Sequence, residues 1–146
     1  AVAASARPGL VGYQGHKMSK SRGNLVLVSA LRAQGVDPMA IRLVILAHHY
    51  TSTWEYTDAD LEGAVARLAT WRSALALAST PSVSAVVSGV RAALAENLDA
   101  PAALALIDDW AAAALAQSES VSSESVSSAS SDELRSVIDA LLGVTL

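Results

Sequence analysis

From residue 37 onward, apolar side chains return every third or fourth position, and each run begins behind a helix-start signal. Asp37-Pro38 sets a capping carboxylate before a proline at the first helical position; Met39, Ile41, Leu43, Val44, Ile45 and Leu46 follow. Those six cover nearly every direction, which predicts a central, buried helix reaching about Tyr50. Thr57-Asp58-Ala59-Asp60 opens the next run, placing carboxylates at the positive end of a helix that carries Leu61, Val65, Leu68, Trp71 and Leu75. Pro81 precedes Val83, Val86, Val87, Val90 and Leu94, and Asp99 and Pro101 precede Leu104, Ile107, Trp110 and Leu115. Asp132 precedes Leu134, Val137, Ile138, Leu141 and Leu142. Hydrophobic types make up 52% of the chain but aromatics only 4%, with no Phe, so the apolar content is largely Ala, Leu and Val. Ala and Leu favour helix, whereas aromatic and β-branched residues favour strands. The expected fold is mainly α, a helical bundle.

The first 36 residues read differently. Pro8 to Gly15 predicts a short extended piece between turn signals, with Gly12 and Gly15 supplying backbone freedom. Lys17 to Asn24 is polar and reads as an exposed loop, and Leu25 to Ala33 as a short helix stopped by Gly35. The division that follows is residues 1–36 as the edge of another domain and 37–146 as the bundle. Within the bundle, residues 118–131 hold Ser at 9 of 14 positions, with Ser-Glu-Ser-Val-Ser occurring twice. So little apolar area cannot offset the entropy of ordering, and the tract is expected to be a flexible linker.

Charge divides along the same line. The net charge of −4 hides +5 over residues 1–50 and −9 over residues 51–146. A basic front suggests an anionic ligand, while an acidic rear lacks the clustered Lys and Arg of a nucleic-acid footprint. No stretch approaches the ~20 uncharged residues of a membrane span, and no signal-peptide pattern opens the chain, so a cytoplasmic protein is expected. The absence of Cys excludes disulfides and thiolate metal sites within these residues.

The stretch that carries chemistry is Lys17-Met18-Ser19-Lys20-Ser21. Two ammonium groups, two hydroxyls and backbone N–H groups in a Gly-flanked loop can wrap a polyphosphate, although the same composition also suits a solvated turn. The five residues match the KMSKS signature of class I aminoacyl-tRNA synthetases, and Gly23-Asn24 follows as is usual there. The chain resembles the end of cysteinyl-tRNA synthetases and of their relatives, the cysteine ligases of mycothiol biosynthesis. Gly15 to Val26, Gly35 to Leu43, His48-His49-Tyr50 and Ile138 to Val144 look closest to the ligases. The acidic rear and the roughly 125 residues after Ser21 also favour the ligases over a tRNA-binding protein.

The resemblance implies several expectations. The loop and preceding strand would be the edge of a Rossmann-like nucleotide-binding domain. Lys17 and Lys20 would be catalytic, stabilising charge on ATP during cysteine activation. Val11, Lys17, Met18, Ser19, Lys20 and Ser21 would bind the nucleotide, Val11 beside the adenine. Cysteine, ATP with Mg and the amine of glucosaminyl-inositol would be the reactants of the full enzyme. Its HIGH motif and its zinc-binding cysteines would precede Ala1, so this stretch would pack against that portion and make no adenylate alone. No metal ligand is expected within the chain, and a monomer is expected. A tRNA synthetase end, or a helical interaction module with a vestigial loop, are the alternatives.

Other candidates carry less. Adjacent His48-His49 lacks the i, i+4 spacing of a helical metal pair and reads as packed residues closing a buried helix. His16, beside Lys17, is placed to touch phosphate or to be simply an exposed loop residue. Trp54 and Tyr56 are expected to pin a linker onto the bundle, Trp71 and Trp110 to lie in the core, and Asp108-Asp109 to face solvent.

Overall fold

The computed structural model describes residues 6–78, 80–119 and 129–146. A small sheet joins the front of the chain to the bundle. β1 (Val11–Tyr13) and β2 (His16–Lys17) form an antiparallel hairpin with Tyr13 opposite His16. Gln14 and Gly15 take φ of 55° and 76° between them, the two left-handed residues of a type I′ turn. Gly12, expected to serve as a turn residue, lies within β1 instead. A single 3₁₀ turn, Lys20–Arg22, follows, and then α1 (Val28–Ala33), which starts three residues later than Leu25.

α2 (Pro38–Leu46) starts as its residues require: the Asp37 carboxylate accepts the Met39 N–H at 2.9 Å. It ends at Leu46, so His48-His49-Tyr50 lies beyond the helix rather than closing it. Ala40, Ile41, Leu43 and Val44 are buried, but Ile45 is 59% exposed, so the helix is half-buried rather than central. β3 (Trp54–Glu55) then pairs in parallel with β1, Val11 opposite Trp54, giving the order β2-β1-β3. Parallel neighbours need a crossover, here supplied by α1 and α2.

α3 (Asp58–Leu75) opens with a full capping box between Thr57 and Asp60. α4 (Ser84–Ala95), α5 (Ala100–Glu119) and α6 (Ala129–Leu142) complete the bundle. α3 packs on α2, α5 and α6, and α4 packs on α5 and α6. Trp71, Leu104, Ile107, Leu134, Ile138 and Val90 are all nearly inaccessible and form its centre. The inward stripe of α3 is Ala64, Leu68, Trp71 and Leu75; Val65, expected inside, is 47% exposed. The Ser-rich tract is shorter than expected, since Ser118 and Glu119 finish α5 and residues 129–131 begin α6. Its remainder, residues 120–128, lies outside the described residues.

Candidate phosphate-binding loop

The loop is held at its base and open at its cations. Met18 donates its N–H to the Val11 carbonyl at 3.3 Å, and its half-buried side chain packs against the core. That contact carries the β1–β2 ladder one residue past β2 and roots the loop in the sheet. Lys20 to Arg22 then make the 3₁₀ turn, closed by the Gly23 N–H on the Lys20 carbonyl at 3.2 Å. Gly23 takes φ 68°, a left-handed conformation that glycine adopts at little cost.

His16, Lys17, Lys20, Ser21 and Arg22 are exposed, whereas Ser19 and Met18 are half-buried. Among the described residues neither Lys17 nor Lys20 has a carboxylate partner. The nearby carboxylate of Glu55 is engaged by the Gly15 N–H at 2.5 Å, which braces the hairpin turn from β3. Ser19 and Ser21 hydroxyls lie 3.3 Å apart. The structure therefore brings Lys17, Met18, Ser19, Lys20 and Ser21 into one loop beside Val11. It presents ammonium groups with no carboxylate partner among the described residues, an arrangement able to receive several phosphate oxygens.

Asn24 was given no role by its residue type alone. Its carboxamide oxygen accepts the Ser19 N–H at 2.9 Å, and its amide donates to the Tyr13 and Lys17 carbonyls at 3.3 Å each. Its signal in the sequence is its place in the Gly23-Asn24 pair that follows the KMSKS residues.

Arg42 contributes to the basic front but not to the loop. Its guanidinium donates to the Leu142 carbonyl at 2.5 Å, at the negative end of α6, where a cation is favoured. The histidines are likewise structural. His48 stacks on Trp54 with ring centres 3.8 Å apart and planes 7° apart, which confirms that Trp54 is packed. His49 reaches Thr51 Oγ1 at 2.7 Å and the Asn97 carbonyl at 3.0 Å, and Tyr50 donates to Asn97 Oδ1 at 2.8 Å. Together they hold Asn97 and Leu98, whose φ values of 50° and 56° turn the chain from α4 into α5.

Asp108 corrects an expectation. Rather than lying free in solvent, it accepts both the Arg67 guanidinium, at 3.0–3.1 Å, and the buried Trp71 indole N–H, at 2.8 Å. Among the described residues no group of three or more His, Cys, Asp or Glu is placed to hold a metal ion. No described helix is long and apolar enough to cross a membrane.

Comparison with known proteins finds relatives that include this loop. Residues 6–66 match the family described as tRNA synthetases class I (C) catalytic domain, a span containing the sheet, the loop and the start of α3. The chain is 61% identical over 138 residues to a Beutenbergia cavernae protein named L-cysteine:1D-myo-inositol 2-amino-2-deoxy-alpha-D-glucopyranoside ligase, covering 94% of this chain and 31% of that one. Proteins of the same name from Sanguibacter keddieii and Nocardiopsis dassonvillei are 59% and 53% identical over the same 94% of this chain, or 31% and 32% of theirs. The chain thus spans about a third of the length of the curated relatives it matches.

Proposed function

We propose that the chain belongs to the class I aminoacyl-tRNA synthetase family, and that its KMSKS loop serves an ATP-dependent cysteine ligase of the kind its relatives are named for. The observation that carries this reading is the pair of exposed lysines, Lys17 and Lys20, unpaired among the described residues and held in a loop rooted in the sheet. In the proposed reaction the carboxylate of cysteine attacks the α-phosphorus of ATP, forming cysteinyl-AMP and expelling pyrophosphate. The amine of glucosaminyl-inositol then attacks the acyl carbon, forming an amide and releasing AMP.

Lys20, at the head of the 3₁₀ turn, would stabilise charge on the transferring phosphates, with Lys17 assisting and the Ser19 and Ser21 hydroxyls donating to phosphate oxygens. Met18 would act through its anchoring side chain. Val11 would meet the adenine through its backbone, whose carbonyl also accepts the Met18 N–H. The ammonium groups suit phosphate oxygens rather than a divalent cation, so Mg would enter with ATP, and zinc would be bound outside this chain.

The remaining polypeptide of such a ligase would pack beside the loop. Leu25, Leu27 and Val28 are 39%, 53% and 52% exposed and nearly consecutive, an apolar ledge suited to that contact. Residues 1–36 with β3 would complete the catalytic domain and the helices would support it. The protein is proposed to act as a cytoplasmic monomer, and this chain alone to make no adenylate.

The test is a chimera in which this chain replaces the matching segment of the Beutenbergia cavernae ligase. Ligation of cysteine to glucosaminyl-inositol is expected, and Lys20→Ala is expected to reduce it by about 10²–10³, the scale of a preorganised charge-stabilising group. An active chimera indifferent to Lys20→Ala refutes the loop assignment, and charging of tRNA instead of ligation refutes the substrate.

A further inference from the structure

We propose that Asn24 is the positioning residue of the KMSKS loop, its side chain setting the shape in which Lys17 and Lys20 are presented. The proposal rests on the reading of the loop as a phosphate site, and goes beyond it by assigning the group that holds the loop ready. Three backbone groups converge on this one carboxamide: the Tyr13 carbonyl at the end of β1, the Lys17 carbonyl at the end of β2 and the Ser19 N–H within the loop. Two acceptors and one donor call for two N–H groups and one oxygen, which is the inventory of a primary amide. Asp would match the Ser19 N–H and set a carboxylate against two carbonyls. Ser offers a single O–H, and Gln carries an extra methylene that moves the amide out of register.

The position is as informative as the chemistry. The bonds straddle Lys17 and stop one residue before Lys20, so they fix the backbone that carries both ammonium groups while touching neither side chain. The left-handed Gly23 turns the chain back so that Asn24 can reach upstream to the loop it follows. A loop so braced enters the reaction without first losing the conformational freedom of six or seven residues.

Two measurements test this. In the chain itself, trypsin cleavage after Lys17, Lys20 and Arg22 reports loop opening, since proteolysis tracks the population of opened backbone. Asn24→Ala is expected to speed that cleavage at least tenfold while leaving the thermal midpoint of the helices within about 2 °C. In the chimera, the same substitution is expected to lower kcat for cysteine-dependent ATP–pyrophosphate exchange by about 10- to 100-fold, the cost of misplacing catalytic groups by about 1 Å, with KM for cysteine changed less than threefold. Asn24→Asp retains the acceptor for Ser19, so Ser19 amide exchange should stay slow in Asp and become fast in Ala; if the Ala variant does not fold, Asp carries the test alone, through faster cleavage after Lys17 with Ser19 exchange as slow as in the unsubstituted chain. Unchanged cleavage, equal Ser19 exchange in both variants, or a loosened loop with unchanged exchange kinetics each overturns the proposal. If Lys20→Ala leaves the chimera fully active while Asn24→Ala still opens the loop, the phosphate reading falls and the bracing role of Asn24 stands.

Discussion

Asp108→Ala is the substitution whose cost follows most directly from the structure. Asp108, on α5, is the acceptor for both Arg67 and the Trp71 indole N–H of α3. Its ion pair with Arg67 joins side chains that are 37% and 28% exposed, so solvent screens it and it contributes about 0–1 kcal/mol. The indole is different, because Trp71 is 0% exposed and its N–H would lose the Asp108 oxygen that accepts it. Leaving such a donor unsatisfied costs about 1–3 kcal/mol. A cleft of about 440 Å³ lined by Arg67 and Asp108 admits water to the site, which favours the lower half of that range. Asp108→Ala should therefore destabilise the fold by about 1–3 kcal/mol, lowering the thermal midpoint by about 3–9 °C for a chain of this size. Asp108→Asn keeps an oxygen for Trp71 and loses the charge, and should cost less than about 1 kcal/mol. Urea denaturation followed by Trp fluorescence and by far-ultraviolet circular dichroism measures both. Equal losses for Ala and Asn would show that the charge pair, not the indole, is what matters; a loss below 0.5 kcal/mol for Ala would refute the account altogether.

Two further outcomes follow from the same geometry. The Asp37 carboxyl is held below its ordinary value of 3.8, first by the Met39 N–H and then by Arg72, whose guanidinium lies at 2.8 Å. A carboxyl depressed in the fold contributes its full stability above the unfolded value of about 4 and loses it as pH falls through the folded value. Asp37→Asn should accordingly flatten that part of the acid limb in a pH series of thermal midpoints, and an unchanged limb would refute the assignment. Gly9 permits β1 to run against the chain before β3, since an added Cβ would fall 1.9 Å from the Ser52 carbonyl oxygen. Gly9→Ala must displace backbone at a cost of about 1–3 kcal/mol, and should raise tryptic cleavage of the loop before the helices melt; cleavage at the wild-type rate would show that the sheet does not support the loop.

The helices were legible because their signals are local. Asp37 with Pro38 and Thr57 with Asp60 fold back on residues two or three positions away, so the caps can be read without knowing the fold. The loop was legible for a different reason, a five-residue match to a known signature. What escaped was long-range. β3 is two residues long, and nothing in Trp54-Glu55 announces a partner 43 residues earlier at Val11-Gly12. Apolar spacing of three and four admits two overlapping stripes on α3, and the packing selects the one with the small Ala64, which lets α2 approach, over the one with Val65. Asp108 looked solvated because Arg67 and Trp71 lie 41 and 37 residues upstream, and only the crossing of α3 and α5 brings them together.

The short β3 also explains why a phosphate loop and a helical bundle occur on one chain. Glu55 holds the hairpin turn through the Gly15 N–H, Tyr56 donates its N–H to the Gly12 carbonyl at 2.8 Å, and Thr57 caps α3. Three consecutive residues thus serve the loop, the sheet and the start of α3. Asp60 closes the same capping box and lies 3.7 Å from His48, whose ring covers Trp54 of β3. The start of α3 cannot shift without moving β3, and β3 cannot shift without releasing the hairpin that carries Lys17. Packing of α3 against α2, α5 and α6 therefore acts on the loop as a foundation: the buried stripe around Trp71 fixes the helix, and the helix fixes β3, the strand that braces the hairpin carrying the cationic loop.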